Sequence, residues 1–171
     1  MKARIGISVR SFLCEELGLS PDYLETRVQT VFLDGKAVDN LESALVRDGS
    51  VLALSAAMPG LLGATLRRGS YYAAMRGEIS YRGTKDTLPG GEETVYVKLF
   101  NLLVREVGSA LLRKGIWISG LEVGEFLAKR AARFWGDLAK AVYEGRELDP
   151  EELRRVTFPP EPLILKVSRV D

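Results

Sequence analysis

Two apolar runs in the first third of the chain have the spacing of β-strands. Residues 28–33 interleave apolar and polar side chains and end at an Asp-Gly turn at 34–35. Residues 50–56 follow a second Asp-Gly at 48–49 and are almost entirely apolar. The first run predicts a strand that ends in a hairpin, and the second predicts a core strand covered on both faces. We expect the two strands to pair antiparallel, with residues 51–56 in the centre of the sheet.

Other segments alternate between helical and strand spacing. Apolar residues recur at helical intervals in residues 8–17, 102–114 and 121–142, and the last of these begins with the capping-box pattern Ser119 to Glu122. Trp135 is expected to lie beside that last apolar stripe, within reach of a partner chain. Strand spacing returns in residues 94–100 and 162–170. These elements predict an α+β fold.

Three segments, VRSFLCEELG, VFLDGKAVDN and VRDGSVLALSAAMPG, follow one another in a familiar order. Residues 8–60 thereby resemble the second half of the ubiquitin-like sulfur carriers of thiamine and molybdopterin synthesis, which have a β-grasp fold. The resemblance implies a β-grasp-like mixed sheet packed with helices. That family begins with a β-hairpin, whereas only residues 1–7 precede the first helix here. It also ends in a sulfur-carrying Gly-Gly, which Pro59-Gly60 replaces, so the resemblance does not extend to the carrier chemistry.

The predicted sheet needs a strand from another part of the chain. We expect residues 162–170 to supply it, because they combine β-branched and apolar residues behind a proline-rich spacer. The chain is then divided into a β-grasp-like half, residues 1–66, and an α+β half with two longer helices, residues 67–171. Closure of the first sheet by the last strand would unite the halves in a single domain.

The composition of the chain limits the partners, the catalytic groups and the metal sites that it can have. Lys plus Arg number 24 and Asp plus Glu 23, so no net field directs the molecule to nucleic acid or to a membrane. There is no histidine and one cysteine, Cys14, which excludes Ser-His-Asp and Cys-His catalysis and zinc or iron–sulfur sites held by this chain alone. No cofactor is predicted. Residues 1–13 lack a secretory pattern and residues 49–66, although uncharged, contain the breakers Pro59 and Gly60, so we expect a cytoplasmic protein.

Glycines, arginines and tyrosines concentrate in one stretch after the core strand. Backbone N–H groups beside glycine, guanidinium groups and aromatic rings are the groups that hold a phosphate or stack on a base. The candidate ligand-binding residues are Gly60, Gly63, Arg67, Arg68, Tyr71, Tyr72 and Arg76. The spacing does not match a P-loop or a dinucleotide fingerprint. Alternation in residues 72–79 equally predicts an amphipathic strand with solvated arginines.

Three functions remain open from the sequence. The favoured one is a non-catalytic binding or interaction module whose partner is another protein or a second copy of the chain, because no nucleophile and base are paired. The alternative is a binding protein or enzyme for a phosphorylated small molecule or nucleotide at residues 60–76. A third is an enzyme that uses carboxylates or tyrosines, for which Glu78, Tyr81, Asp86 and Glu92 are available.

Overall fold

The computed structural model describes residues 1–83 and 90–169 and has the mixed α+β architecture that the sequence predicts. The chain forms two compact units, Met1–Leu111 and Leu112–Asp171. The boundary expected after residue 66 therefore falls inside the first unit. Across the described ranges, no helix has both the length and the apolar character needed to cross a membrane. Asp86, one of the candidate enzyme groups, lies outside the described residues, as does Val170 at the end of the last predicted strand.

The first unit combines six strands with short helices. Its strands are β1 Lys2–Ile5, β2 Thr30–Leu33, β3 Lys36–Ala37, β4 Val51–Ser55, β5 Gly91–Thr94 and β6 Tyr96–Phe100. Its helices are α1 Val9–Ser11, a π-helical turn at Phe12–Glu16, α2 Pro21–Thr26, α3 Gly60–Leu66, a 3-10 helix at Tyr71–Ile79, α4 Leu102–Glu106 and α5 Gly108–Lys114, in which the boundary between the units lies.

An extended run at residues 91–100 contributes one strand to each of the two sheets of the first unit. Its first part, β5, pairs antiparallel with β1, and Met1 and Val95 continue this ladder with N–H···O bonds of 2.7 and 2.9 Å. Its second part, β6, pairs in parallel with β4. β4 also pairs antiparallel with β2, which forms a hairpin with β3. The four-stranded sheet therefore has the order β3, β2, β4, β6, the β1–β5 pair is a separate two-stranded sheet, and the predicted position of β4 in the interior of the sheet is confirmed.

The turn after β2 has the geometry that its sequence predicts. Asp34 and Gly35 have φ angles of 50° and 78°. Two successive left-handed residues define the two-residue turn whose twist matches a hairpin, and Asp-Gly is a favoured pair for it. The Asp34 carboxylate then accepts a 2.7 Å hydrogen bond from the Val51 amide, which ties this turn to the start of β4.

The core of the first unit lies between the sheet and the N-terminal helix. Ser8 caps the helix by accepting the Ser11 amide at 3.0 Å. The predicted apolar face of the helix is buried, and so are alternate residues of the central strands. The fully buried large side chains include Val9, Phe12, Leu13, Leu24, Val31, Leu33, Leu52, Leu54 and Leu103. Burial of this continuous apolar set is the main stabilising contribution in this unit.

The predicted closure of this sheet by the C-terminal strand is wrong. Residues 162–165 pair antiparallel with residues 116–119 inside the second unit. The strand that the first sheet needed comes instead from residues 91–100. Both segments contain a strand, although the one predicted at residues 162–170 ends at Leu165. Strand spacing indicates which face of a strand is apolar and leaves its pairing partner undetermined.

The second unit contains two strand pairs and three helices. Its strands are β7 Ile116–Ser119, β8 Ala141–Tyr143, β9 Arg146–Leu148 and β10 Pro162–Leu165. Its helices are α6 Gly120–Ala128, α7 Ala132–Gly136 and α8 Pro150–Arg155. The predicted capping box is present in α6, where the Ser119 hydroxyl accepts the Leu121 amide and Glu122 accepts the Ser119 amide.

The single long helix predicted from residue 121 to residue 142 is wrong. Helix α6 ends at Lys129, and a new helix, α7, begins at Ala132. The chain then forms the β8–β9 hairpin, whose turn residues Glu144 and Gly145 have φ angles of 51° and 76°. The residues of the predicted stripe do not share one buried face, because Val142 of β8 is 60% exposed. Trp135 is buried, which corrects the expectation that it would be available to a partner chain.

Candidate interaction surface

The segment that follows β4 is held together by a buried arginine. The Arg76 side chain is fully buried, and its Nε donates to the Thr65 carbonyl at 2.6 Å. One Nη donates to the Asp39 carboxylate at 2.7 Å and the other to the Arg67 carbonyl. Thr65 and Arg67 lie at the C-terminal end of α3, where carbonyl groups lack helical partners and a cation is favoured. Arg76 therefore fixes the 3-10 helix onto α3.

Arg68 has a similar structural role. Its Nε donates to the Val28 carbonyl at 3.2 Å, and one Nη donates to the Leu24 carbonyl at 3.0 Å. That Nη also lies 3.4 Å from a Glu25 carboxylate oxygen. Its main-chain amide donates to the Gln29 carbonyl at 2.8 Å. This side chain therefore anchors the segment to the end of α2 and the start of β2, and it is not directed at a ligand.

The glycines of the predicted anion-binding loop are required by the path of the backbone. Gly60 begins α3 with a φ of 74°, which glycine adopts without strain. At Gly63 an ideal Cβ atom would lie 2.0 Å from the Met58 carbonyl oxygen, so only glycine allows α3 to fold back on this residue. The residues predicted to bind a ligand are thus not brought together around one point. Arg67, Tyr71 and Tyr72 are exposed, whereas Arg68 and Arg76 are engaged within the fold.

The alternative prediction, an amphipathic strand at residues 72–79, is also wrong. These residues form a 3-10 helix with a kink at Gly77, whose φ is 56°. Ser70 starts it by accepting the Tyr72 amide at 3.2 Å. The small residues Ala73, Ala74 and Gly77 allow short helical turns, and tertiary contacts from Arg76 select them over an extended chain. Sequence alternation alone did not distinguish the two structures.

Large apolar side chains cover the outside of this segment. α3 and the 3-10 helix pack against each other, and the exposed fraction reaches 70% at Leu62, 92% at Tyr71 and 64% at Met75. Tyr71 and Tyr72 form an edge-to-face pair with centroids 5.5 Å apart. We define the 60–79 surface as Leu61, Leu62, Tyr71, Tyr72, Met75 and Ile79. Single exposed apolar residues are ordinary, but a set on two packed helices is typical of a binding surface.

Four residues of this surface were missed at the level of the sequence. The sequence predicts a tight apolar loop at Leu61 and Leu62 and an amphipathic strand at Met75 and Ile79. A signal was present: the uncharged run continues past the breakers Pro59 and Gly60, beyond the length that the core strand needs. Apolar residues beyond such a break indicate a second layer or an exposed surface, and only the fold distinguishes these outcomes.

The outward face of the sheet adds a second group of exposed aromatic side chains. Tyr96, Lys98 and Phe100 alternate along β6 with the partly buried Val97 and Leu99. Lys98 lies opposite Ala53 of β4, which lies opposite Phe32 of β2, so these three share the outward face. This face is covered less completely than the helix-covered side, as expected for one side of an α+β sheet.

A tyrosine, a glutamate and an arginine connect α2 to α4. The Tyr23 hydroxyl donates to Glu106 Oε2 at 2.6 Å, and Arg27 donates to both oxygens of the same carboxylate. Burial, followed by the bond to Glu106, raises the pKa of Tyr23 above its usual value of 10.0. Hydrogen bonds from Arg27 and then from Tyr23 lower the pKa of Glu106. The three side chains thus form a hydrogen-bonded contact between α2 and α4.

Replacing Tyr23 by phenylalanine should lower the free energy of unfolding by about 1 kcal/mol at neutral pH, since one hydrogen bond to a carboxylate is lost. A raised folded-state pKa means that the neutral phenol stabilises the fold fully below pH 10, the unfolded value, and less as pH rises through the folded value. The difference between wild type and Tyr23→Phe should therefore shrink in alkaline denaturant titrations. Tyr71→Phe, at an exposed site, is the matched control and should show no such trend.

The groups proposed for a histidine-free enzyme do not form a centre. Glu78 lies 3.4 Å from Arg82 in an exposed pair, Tyr81 packs against the core, and Glu92 lies opposite Arg4 across the β1–β5 pair. Asp86 is outside the described residues. Among the residues that the structure describes, no three or more acidic or cysteine side chains are grouped in a way that could hold a metal ion.

Comparison with known proteins identified no matching family model, no matching curated protein and no matching solved structure.

Proposed function

We propose that this chain is a non-catalytic interaction module that binds another protein through the 60–79 surface. The observation that supports this proposal is that six large apolar side chains remain at the surface of a segment whose own fold is fixed by the fully buried Arg76. A segment that is rigid and apolar loses little conformational entropy when a partner covers it, and it gains the free energy of removing apolar area from water.

We further propose that the first unit is a β-grasp-like scaffold with a permuted start. In the sulfur carriers a hairpin precedes the helix. Here the strands that would form that hairpin, β1 and the run at residues 91–100, lie side by side and antiparallel but are separated in sequence. The helix, the β2–β3 hairpin and β4 follow β1 in the order of that family. The strand order and directions support this relation.

The alternative, a phosphorylated ligand at residues 60–76, has less support. Two of its three arginines already donate to carbonyl and carboxylate groups of the fold, and the glycine-rich stretch is a helix packed against Met58. Arg67 remains exposed. A single exposed guanidinium is a weak anion site because water competes for it.

Site-specific photocrosslinking tests the interaction directly. A photoreactive phenylalanine analogue would be placed at Tyr71, and a control probe at Arg133, whose side chain is 93% exposed in the second unit. We expect irradiation of cells to give a discrete crosslinked product from position 71 and none of that size from position 133. Leu62→Ser with Met75→Ser should reduce its yield at least tenfold, whereas Val142→Ser, a comparably exposed apolar residue at 60%, should not.

Irradiation of the purified protein separates two kinds of partner. The same product from purified protein alone would identify a second copy of the chain as the occupant. A product at position 71 that the Leu62→Ser and Met75→Ser changes leave at full yield, or no product at either position, would contradict the proposal. Unchanged melting temperatures for the serine variants, expected because both side chains are exposed, show that the loss does not come from unfolding.

A further inference from the structure

The second unit contains a cavity of about 410 Å³. Its walls come from α6, α7, α8 and the segment that follows α8, and they combine polar and apolar surface in similar amounts. The apolar lining residues are Leu127, Ala128, Trp135, Leu153, Val156 and Phe158. This volume falls within the range of small-molecule sites, which are concave, mainly apolar and supplied with a few polar groups. At about 30 Å³ per water molecule, it has room for a ligand of about a dozen non-hydrogen atoms.

One glycine of α6 sets the position of the chain beside the cavity, and a second lines the cavity. An ideal Cβ atom on Gly120 would lie 2.0 Å from the Pro159 carbonyl oxygen, so the 158–159 segment crosses the helix in direct contact. One turn later Gly124 lines the cavity, and its ideal Cβ would meet Phe158 at an ordinary distance of 3.8 Å. Glycine within a helix is less favourable than alanine. Because Gly124 has no side chain, space remains beside the Phe158 ring.

The charged groups of the cavity are two arginines, and its lining includes no acidic residue. The Arg154 guanidinium lies 4.5 Å from the centroid of the Trp135 ring and pairs with the exposed Glu151 at 3.1 Å. The Arg130 guanidinium lies 4.0 Å from the Phe126 ring, and its Nε donates to the Phe126 carbonyl at 3.0 Å. Within the described residues, the terminal nitrogens of Arg130 have no protein acceptor. Stacking on a ring fixes a guanidinium and leaves its edge available to an anion.

We propose that this cavity binds a small organic anion, with a flat or branched apolar body against Trp135 and Phe158 and one carboxylate or phosphate group between Arg130 and Arg154. An apolar wall accounts for the body of the ligand. Guanidinium groups favour planar anions, and charge-assisted hydrogen bonds are about twice as strong as neutral ones. The binding site is separate from the 60–79 surface, so it does not depend on the proposed interaction function.

The test uses 2-naphthoate as the probe and 2-naphthamide as its neutral counterpart, added to the full chain. Binding is followed by the NMR signal of the Trp135 indole N–H, with the Trp117 indole, outside the cavity lining, as an internal reference. We expect a saturable shift at Trp135 with naphthoate and a dissociation constant at least tenfold weaker with naphthamide. Absence of a saturable shift at Trp135, or equal affinity for the two probes, would overturn the proposal.

Variants test the charged part and the apolar part of the site separately. Arg130→Gln with Arg154→Gln should weaken naphthoate binding at least tenfold, whereas Arg133→Gln with Arg155→Gln, which removes the same charge outside the lining, should leave it within twofold. Gly124→Leu should abolish binding by filling the cavity. Because that variant can also disturb α6, the two arginine pairs provide the decisive comparison, and equal weakening by both pairs would contradict the site.

Discussion

Replacing Leu54 by aspartate is expected to unfold the first unit. Leu54 is fully buried in the central strand, opposite Val31 of β2 and Leu99 of β6. The change removes a buried apolar side chain and introduces a carboxyl group with no partner, which together cost at least about 4 kcal/mol. Since a typical domain is stable by only about 5 to 15 kcal/mol, we expect loss of cooperative unfolding by circular dichroism or a large fall in melting temperature.

Ala53→Asp is the matched control for this experiment. Ala53 is the preceding residue of the same strand, but it lies on the outward face directly opposite Lys98. A carboxylate there remains near solvent and faces a cation, so the free energy of unfolding should change by no more than about 1 kcal/mol. Equal effects at the two positions, or a Leu54→Asp protein that melts like wild type, would show that β4 is not the central strand of a packed sheet.

Replacing Arg76 by methionine should have the second largest effect and should act on the 60–79 surface. Methionine keeps an apolar stem of similar length but removes the three hydrogen bonds to Thr65, Asp39 and Arg67. Asp39 is partly exposed and can be rehydrated, so we expect a loss of about 2 to 3 kcal/mol, below the 3 to 5 kcal/mol for a fully buried pair. Amide exchange should accelerate in residues 60–79 and remain slow in β2 and β4.

Arg82→Met provides the comparison for Arg76. Arg82 forms an exposed pair with Glu78, in which the two side chains are 77% and 88% accessible. Removing this pair should change stability by less than about 0.5 kcal/mol and leave amide exchange unaltered. Arg76→Lys should not restore wild-type stability, since an ammonium group cannot reproduce the planar fork of a guanidinium. Slow exchange in residues 60–79 of Arg76→Met would mean that the apolar contacts alone hold the segment.

These effects link the fold to the proposed function. β4 is the central strand and pairs with β2. Asp39 follows the β2–β3 hairpin and accepts a hydrogen bond from Arg76. Arg76 then holds the 3-10 helix on α3, so that Leu62, Tyr71 and Met75 are presented at the surface of an ordered segment. We therefore expect Arg76→Met to lower the photocrosslinking yield from position 71 although Arg76 itself is buried and cannot touch a partner.

The sequence by itself determined those elements whose cause is local. Alternation at residues 28–33 together with Asp34-Gly35 specified a hairpin, because few residue pairs adopt two successive left-handed conformations. The nearly continuous apolar run at residues 50–56 specified an interior strand, but the predicted cover on both faces is incomplete, because Val51 and Ala53 on the outward face are only half-buried. Helical spacing at Val9, Phe12 and Leu13 specified the face that packs on the sheet. The α+β class follows from these elements and is confirmed by the structure.

Only the tertiary structure decided how distant segments pair and what surrounds each polar side chain. Residues 91–100 and 162–165 have similar strand spacing, and the sheet that each one joins depends on long-range contacts that periodicity does not record. The apolar stripe after residue 121 is divided where α6 ends at Lys129, and left-handed residues at Glu144 and Gly145 later reverse the chain into a hairpin. Arg76, which the sequence placed in a ligand site, is buried against Asp39 and two carbonyl groups, since the burial of a charge is set by what folds over it.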